Sequence, residues 1–124
     1  MNLVDSCGWL EYLSDGKNSD FFAPAIQDKN NLIVPAICIY EVFKKVFTEM
    51  GEDKALQVVA LMQKSGKPVD MDTDTAIAAA SISATEKFPM ADSIILATAR
   101  LHEAVIWTED EHFRGLRKVK YIEK

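Results

Sequence analysis

The chain has 124 residues, and 48% hydrophobic with 27% charged residues is the balance of a single globular domain, residues 1–124, with its own core. Fourteen basic against nineteen acidic side chains leave a net charge of −5. That excludes a generally basic nucleic-acid coat protein but not an enzyme that meets nucleic acid through metal ions. No apolar stretch runs about 18 residues without a charge, so no membrane span is expected. Asp5 and Glu11 interrupt the apolar start, unlike a signal peptide. Cys7 and Cys38 lack metal-ligand spacing and read as buried free thiols of a cytoplasmic protein, and His102 and His112 form no zinc-binding pair.

In chain order, a short strand is expected over Asn2–Asp5 and a helix from Ser6 to about Ser14, ended by the turn residues Gly16 and Asn18. A second helix around Asp20–Lys29 carries Pro24, a residue suited only to a first turn. Leu32–Val34, bounded by Asn30-Asn31 and Pro35, reads as a buried strand. Ile39, Phe43, Val46, Phe47 and Met50 recur at helical spacing within Ala36–Met50, and Gly51 follows as a helix stop. Leu56, Val59 and Met62 repeat the pattern in Glu52–Lys64, before Gly66. A strand over Lys67–Met71, an alanine-rich helix from Asp72 or Thr73 to Ala84, and a helix over Met90–Ala104 come next. Val105–Trp107 is a strand, Asp110–Leu116 a turn or short helix, and Val119–Ile122 a last strand.

Short apolar strands alternating with helices specify an α/β fold with a parallel sheet of about five strands covered on both faces. Ligands of such folds bind outside the carboxyl ends of the strands, and there the sequence places acids. Asp5 closes the first strand, Glu41 lies in the first turns of the helix after the second, and Asp92 opens the helix after Pro89. Glu109, Asp110 and Glu111 follow the strand Val105–Trp107. Each has a local explanation as well: Asp5 as a helix N-cap, Glu41 as a partner of Lys44 and Lys45, Asp92 as an answer to a helix dipole, and Glu109–Glu111 as a solvated turn. Gathered together, each pair at about 4–5 Å repels by roughly 3–4 kcal/mol at an effective dielectric near 20. Such a cluster persists if it is protonated, dispersed or holding hard cations, and all-oxygen ligands select Mg²⁺ or Mn²⁺.

VDSCGWLEYL, IVPAICIYEVFKKV and MADSIILATARLHEAVIWTEDEHF resemble, in order and over nearly the whole chain, the strand–helix blocks of PIN domains, the nuclease domains of VapC-type toxins. The resemblance implies a three-layer α/β/α fold and hydrolysis of RNA phosphodiesters, with Asp5, Glu41, Asp92 and Asp110 as catalytic acids. Asp5, Asp92 and Asp110 would hold Mg²⁺ or Mn²⁺, and the hydroxyls of Ser6 and Thr108 would steady the carboxylates. It also implies a homodimer and a cognate antitoxin as partner. The family often has a second acid two residues after the Thr-x-Asp aspartate, where this chain has His112. Residues 114–124 carry a net charge of 5 − 1 = +4 against −9 for the remainder, which makes Arg114, Arg117, Lys118 and Lys120 candidate RNA contacts or a solvated strand edge. Phe43, Phe47 and Met50 suit a partner surface or, more simply at their spacing, core packing. A non-catalytic protein-binding module, a haloacid-dehalogenase-like phosphatase and a phosphotransfer receiver are the alternatives. Asp5-Ser6-Cys7 lacks the phosphatase's second Asp, and no late strand ends in the receiver's lysine.

Overall fold

The computed structural model describes residues 1–124. Five strands, β1 (Asn2–Val4), β2 (Leu32–Pro35), β3 (Lys67–Val69), β4 (Val105–Thr108) and β5 (Val119–Tyr121), form one sheet in the order β3-β2-β1-β4-β5. Every pairing is parallel. Leu3, Val4, Leu32, Ile33 and Val34 are at most 1% exposed, as expected of central strands covered on both sides. The edge strands β3 and β5 instead carry exposed Lys67, Pro68 and Lys120, residues that discourage further strand pairing.

Six helices connect the strands: α1 (Ser6–Leu13), α2 (Ser19–Ile26), α3 (Ala36–Met50), α4 (Glu52–Ser65), α5 (Thr73–Glu86) and α6 (Met90–Leu101). Right-handed crossovers put the helices linking β1, β2 and β3 on one face, and α5–α6, returning across the sheet to β4, on the other. Accordingly α1 packs against α2 and α3, and α5 against α6. The sheet's order reverses between β1 and β4, and the carboxyl ends of those two strands adjoin. No helix is long and apolar enough to cross a membrane.

Several elements differ from the sequence expectation for identifiable reasons. Pro24 sits at the sixth position of α2, beyond the first turn, where it is exposed and its missing N–H is that owed to the exposed Asp20. The helix is shorter than expected, and Lys29 belongs to a separate 3₁₀ turn, Lys29–Asn31. In α4 the buried residues are Ala55, Val58 and Met62 rather than Leu56 and Val59, so Leu56 lies 52% exposed. In α3 the inward stripe is Cys38, Val42 and Val46. Phe43 packs against the core, but Phe47 and Met50 are exposed, so core packing does not account for those two. α6 ends at Leu101, before Glu103 takes a left-handed φ of 52°.

Candidate active site

The switch point between β1 and β4 gathers the sequence-predicted acids. Asp5 follows β1 as the N-cap of α1, its Oδ1 accepting from the Ser6 N–H at 2.7 Å. The capping reading therefore holds, yet the carboxyl is only 3% exposed and its other oxygen accepts from Thr108 Oγ1 at 2.8 Å. Thr108, at the end of β4 and fully buried, in turn accepts from the Asp110 N–H at 2.9 Å. One hydroxyl thus fixes the first acid to the backbone of the last. Ser6 does the same for Glu41, donating its Oγ to Glu41 Oε1 at 3.0 Å. The lysines are engaged elsewhere: Lys45 pairs with Glu49 at 2.9 Å, and Lys44 lies 6.0 Å from the Tyr40 ring centroid.

Asp92, in the first turn of α6, is buried on the same site and meets Asp110. Their electrostatics report the crowding. Burial, then the charges of Asp110 and Asp5, push the Asp92 carboxyl up to about 7. Burial raises Asp5 against its hydrogen bonds from Thr108, Ser6 and Cys7. Glu41 is raised by burial and by the charges of Asp5 and Asp110. No lysine or arginine forms an ion pair with any of the four acids.

His112 is the side chain that reaches two of these acids, and its position was not legible in the sequence. Asp110 caps the 3₁₀ turn Glu111–Phe113, accepting from the His112 N–H at 2.9 Å. The turn, anchored by fully buried Phe113, brings His112 Nδ1 to 2.8 Å from Asp92 Oδ2 and 2.9 Å from Asp110 Oδ1. One ligand atom from each of Asp92, Asp110 and His112 lies within 4.8 Å of the other two. The group of side chains that could hold a cation therefore includes a nitrogen beside the carboxylates. Only the departure of His112 from the usual acid signalled this in the sequence.

Glu109 and Glu111 divide. Glu111 is exposed, whereas Glu109 is buried and accepts from Asn18 Nδ2 at 3.0 Å. The same nitrogen donates to the Glu123 carbonyl at 3.0 Å, tying the last residues to the end of β4. Glu109 is thus a tether, not part of a solvated turn. Cys7 is half-buried, its Sγ 3.5 Å from both Asp5 Oδ2 and Thr108 Oγ1. Burial, then the Asp5 charge, push its thiol up to about 12, which keeps it protonated and unreactive.

The basic C-terminal residues do not act as one patch. Arg117 and Lys118 precede β5 and, with Arg100 and Glu103, line a cavity at the amino ends of the strands, the edge opposite the acids. Lys120 lies 4.4 Å from the Trp107 ring centroid, and Arg114 leans on Tyr121 at 5.4 Å and Glu123 at 3.8 Å. The lysines that line cavities at the acidic edge are Lys44 and Lys45, beside Glu41, and Lys124, beside Glu109 and Asp110. For Arg117 and Lys118 the expected placement beside the metal centre is corrected.

A family model described as PIN domain matches residues 3–119. Among solved structures, a chain of a toxin–antitoxin complex from Klebsiella pneumoniae superposes with a TM-score of 0.79 at 19% identity, covering 97% of this chain and 96% of that one. VapC20 of Mycobacterium tuberculosis, a sarcin–ricin loop cleaving toxin, superposes with a TM-score of 0.77 at 13% identity, covering 97% and 99%. A chain of DNA-bound VapBC from Salmonella typhimurium gives a TM-score of 0.72 at 16% identity, covering 99% and 98%. At these identities the likeness speaks for the fold. Comparison with curated proteins gives no match.

Proposed function

The chain belongs to the PIN domain family, and from that premise we propose that it is a divalent-metal-dependent endoribonuclease, the toxin of a VapBC-type pair. The observation that carries this is the convergence of Asp5, Glu41, Asp92 and Asp110 on one sheet edge, with three carboxyls raised and no lysine or arginine paired to any. A purely structural cluster would be relieved by a cationic side chain. One that binds a cation of charge +2 gains more from staying open.

The residues fit such an ion. Asp5, Asp92 and Asp110 would hold Mg²⁺ or Mn²⁺, which when bound neutralises the scissile phosphate and lowers the pKa of an attacking water. Thr108 ties the Asp5 carboxyl to the Asp110 backbone, which limits the reorganisation needed when substrate arrives. Glu41, held by Ser6 at 3.0 Å and raised in pKa, is suited to orient that water and accept its proton. As the water oxygen bonds to phosphorus the P–O3′ bond breaks, Glu41 takes the water's proton, and the 3′ oxygen takes one from solvent, which leaves a 5′-phosphate and a 3′-hydroxyl.

Solved relatives come from VapBC and other toxin–antitoxin complexes, which supports an antitoxin as the partner. The exposed Phe47 and Met50 of α3 give this chain apolar surface for protein contacts, including a second copy. The test is incubation of the purified chain with RNA in Mg²⁺, Mn²⁺ or EDTA, with cleaved ends mapped. Cleavage requires the metal and is lost in Glu41→Gln and Asp92→Asn. Full-rate cleavage in EDTA overturns the proposal.

A further inference from the structure

The position two residues after Asp110 is where an acid would complete an all-oxygen site, and this chain places an imidazole there. The local backbone fixes where that imidazole points. Asp110 caps the turn, Phe113 is packed into the core at 0% exposure, and the Phe88 ring lies 6.5 Å from the imidazole on its flank. The ring nitrogen nearest the backbone thereby stands 2.8 Å from one carboxylate oxygen and 2.9 Å from another. Adjacent ligands of an octahedral ion with bonds of about 2.1 Å are about 3 Å apart. The two distances from the imidazole nitrogen match that spacing, and all three atoms lie within 4.8 Å of one another, close enough to share one coordination sphere.

Building on the metal-dependent reading above, we propose that His112 Nδ1 is a direct ligand of the cation held by Asp92 and Asp110, and that it makes this position prefer Mn²⁺ to Mg²⁺. Mg²⁺ is hard, sheds water reluctantly and favours oxygen. An imidazole nitrogen is a better ligand for first-row transition ions than for Mg²⁺, and its contribution grows along the series from Mn²⁺ to Co²⁺. Two carboxylates and a neutral imidazole balance the ion's charge and leave other vertices for water and phosphate oxygens. The sharp alternative is that protonated His112 is only a countercharge for the two acids. The two roles have opposite consequences: a ligand strengthens metal binding, whereas a countercharge competes with it.

The experiment is calorimetric titration of the purified chain, without RNA, by MnCl₂ and separately by MgCl₂. Wild type is compared with His112→Ala and His112→Asp, changes at a side chain 55% exposed that the core does not depend on. Expected is a loss of about tenfold or more in Mn²⁺ affinity for His112→Ala with a smaller loss for Mg²⁺. His112→Asp regains Mg²⁺ binding and lowers the Mn²⁺/Mg²⁺ affinity ratio. A second readout needs no variant: the electron-spin echo of Mn²⁺-loaded wild type, labelled with ¹⁵N-histidine, shows coupling to a directly bound ring nitrogen. That coupling vanishes in His112→Ala. Unchanged or tighter binding of both ions by His112→Ala, or no nitrogen coupling in Mn²⁺-loaded wild type, overturns the proposal while leaving the metal-dependent reading intact. Failure of wild type to bind either ion overturns both.

Discussion

At Asp92 a single carboxyl links metal binding to stability. In the metal-free chain it is pushed from 3.8 to about 7, so between these values the folded state holds a proton the unfolded state has released. The stability this contributes is complete below about pH 4 and is lost as pH rises through 7. Asp92→Asn removes the ionisation and still offers His112 an acceptor. In EDTA at pH 8 the variant is expected to exceed wild type by roughly 1–3 kcal/mol, after solvent screening, and the advantage shrinks at pH 5. Urea unfolding at the two pH values measures it, and a difference independent of pH would refute the crowding. Thr108 makes the complementary case. Its fully buried hydroxyl serves Asp5 and Asp110 at once, so the nearly isosteric Thr108→Val leaves the Asp110 N–H unanswered and Asp5 Oδ2 with only the weak Cys7 donor, at a cost of about 1–3 kcal/mol. Thr108→Ser keeps both hydrogen bonds. If unfolding and RNA cleavage fail to separate the Val from the Ser variant, the hydroxyl does not organise the site.

Among the elements, glycines show what sequence reading reaches and what it does not. Gly51 and Gly66 both follow helices and read alike as helix stops. Gly51, at φ 87° and ψ 174°, occupies a conformation essentially reserved for glycine, with open space around it. Gly66 has an extended backbone, and there the constraint is space: a Cβ would lie 2.5 Å from the Leu32 carbonyl oxygen in β2. Gly66→Ala is therefore expected to destabilise by about 1–3 kcal/mol through displacement of the β2–β3 edge. Urea denaturation checks this, and a neutral result would mean the edge yields freely. The strands were legible because buried parallel strands need unbroken apolar runs. The phase of α4 was not, because Leu56 and Leu61 are as apolar as the Ala55 and Val58 that face inward, and tertiary packing chose the smaller pair. The four acids were legible because strand ends and first helical turns are positions a sequence can locate. His112 was not, since a 3₁₀ turn and a buried Phe113 decide where its ring points. Nor was the tether from Asn18 to Glu109, whose partners stand 91 residues apart.

Over the whole molecule, charge decides how a chain of net charge −5 can hold RNA. The acidic edge repels phosphates until a cation is bound, so lysines near that edge matter more than the total. Lys44 and Lys45 share a cavity with Glu41, and Lys124 shares one with Asp110. Arg117 and Lys118 lie at the far edge with Arg100. A strand placed across the carboxyl ends of the sheet, with its scissile phosphate at Asp92 and Asp110, passes the first group and not the second. Removing a cation that neutralises one phosphate lowers the logarithmic salt dependence of single-strand binding by about 0.7. In the cleavage-deficient Asp92→Asn chain, Lys44→Gln with Lys45→Gln is therefore expected to flatten the slope by about 1.4 if both lysines meet phosphates, and Lys124→Gln to flatten it further. Arg117→Gln with Lys118→Gln leaves it close to the parent value, although it removes the same formal charge from the molecule. Binding of a short single-stranded RNA measured across a KCl series gives the slopes. Equal flattening by the two pairs would mean that RNA responds to the overall field, or wraps to the opposite edge, rather than following the line of the acids.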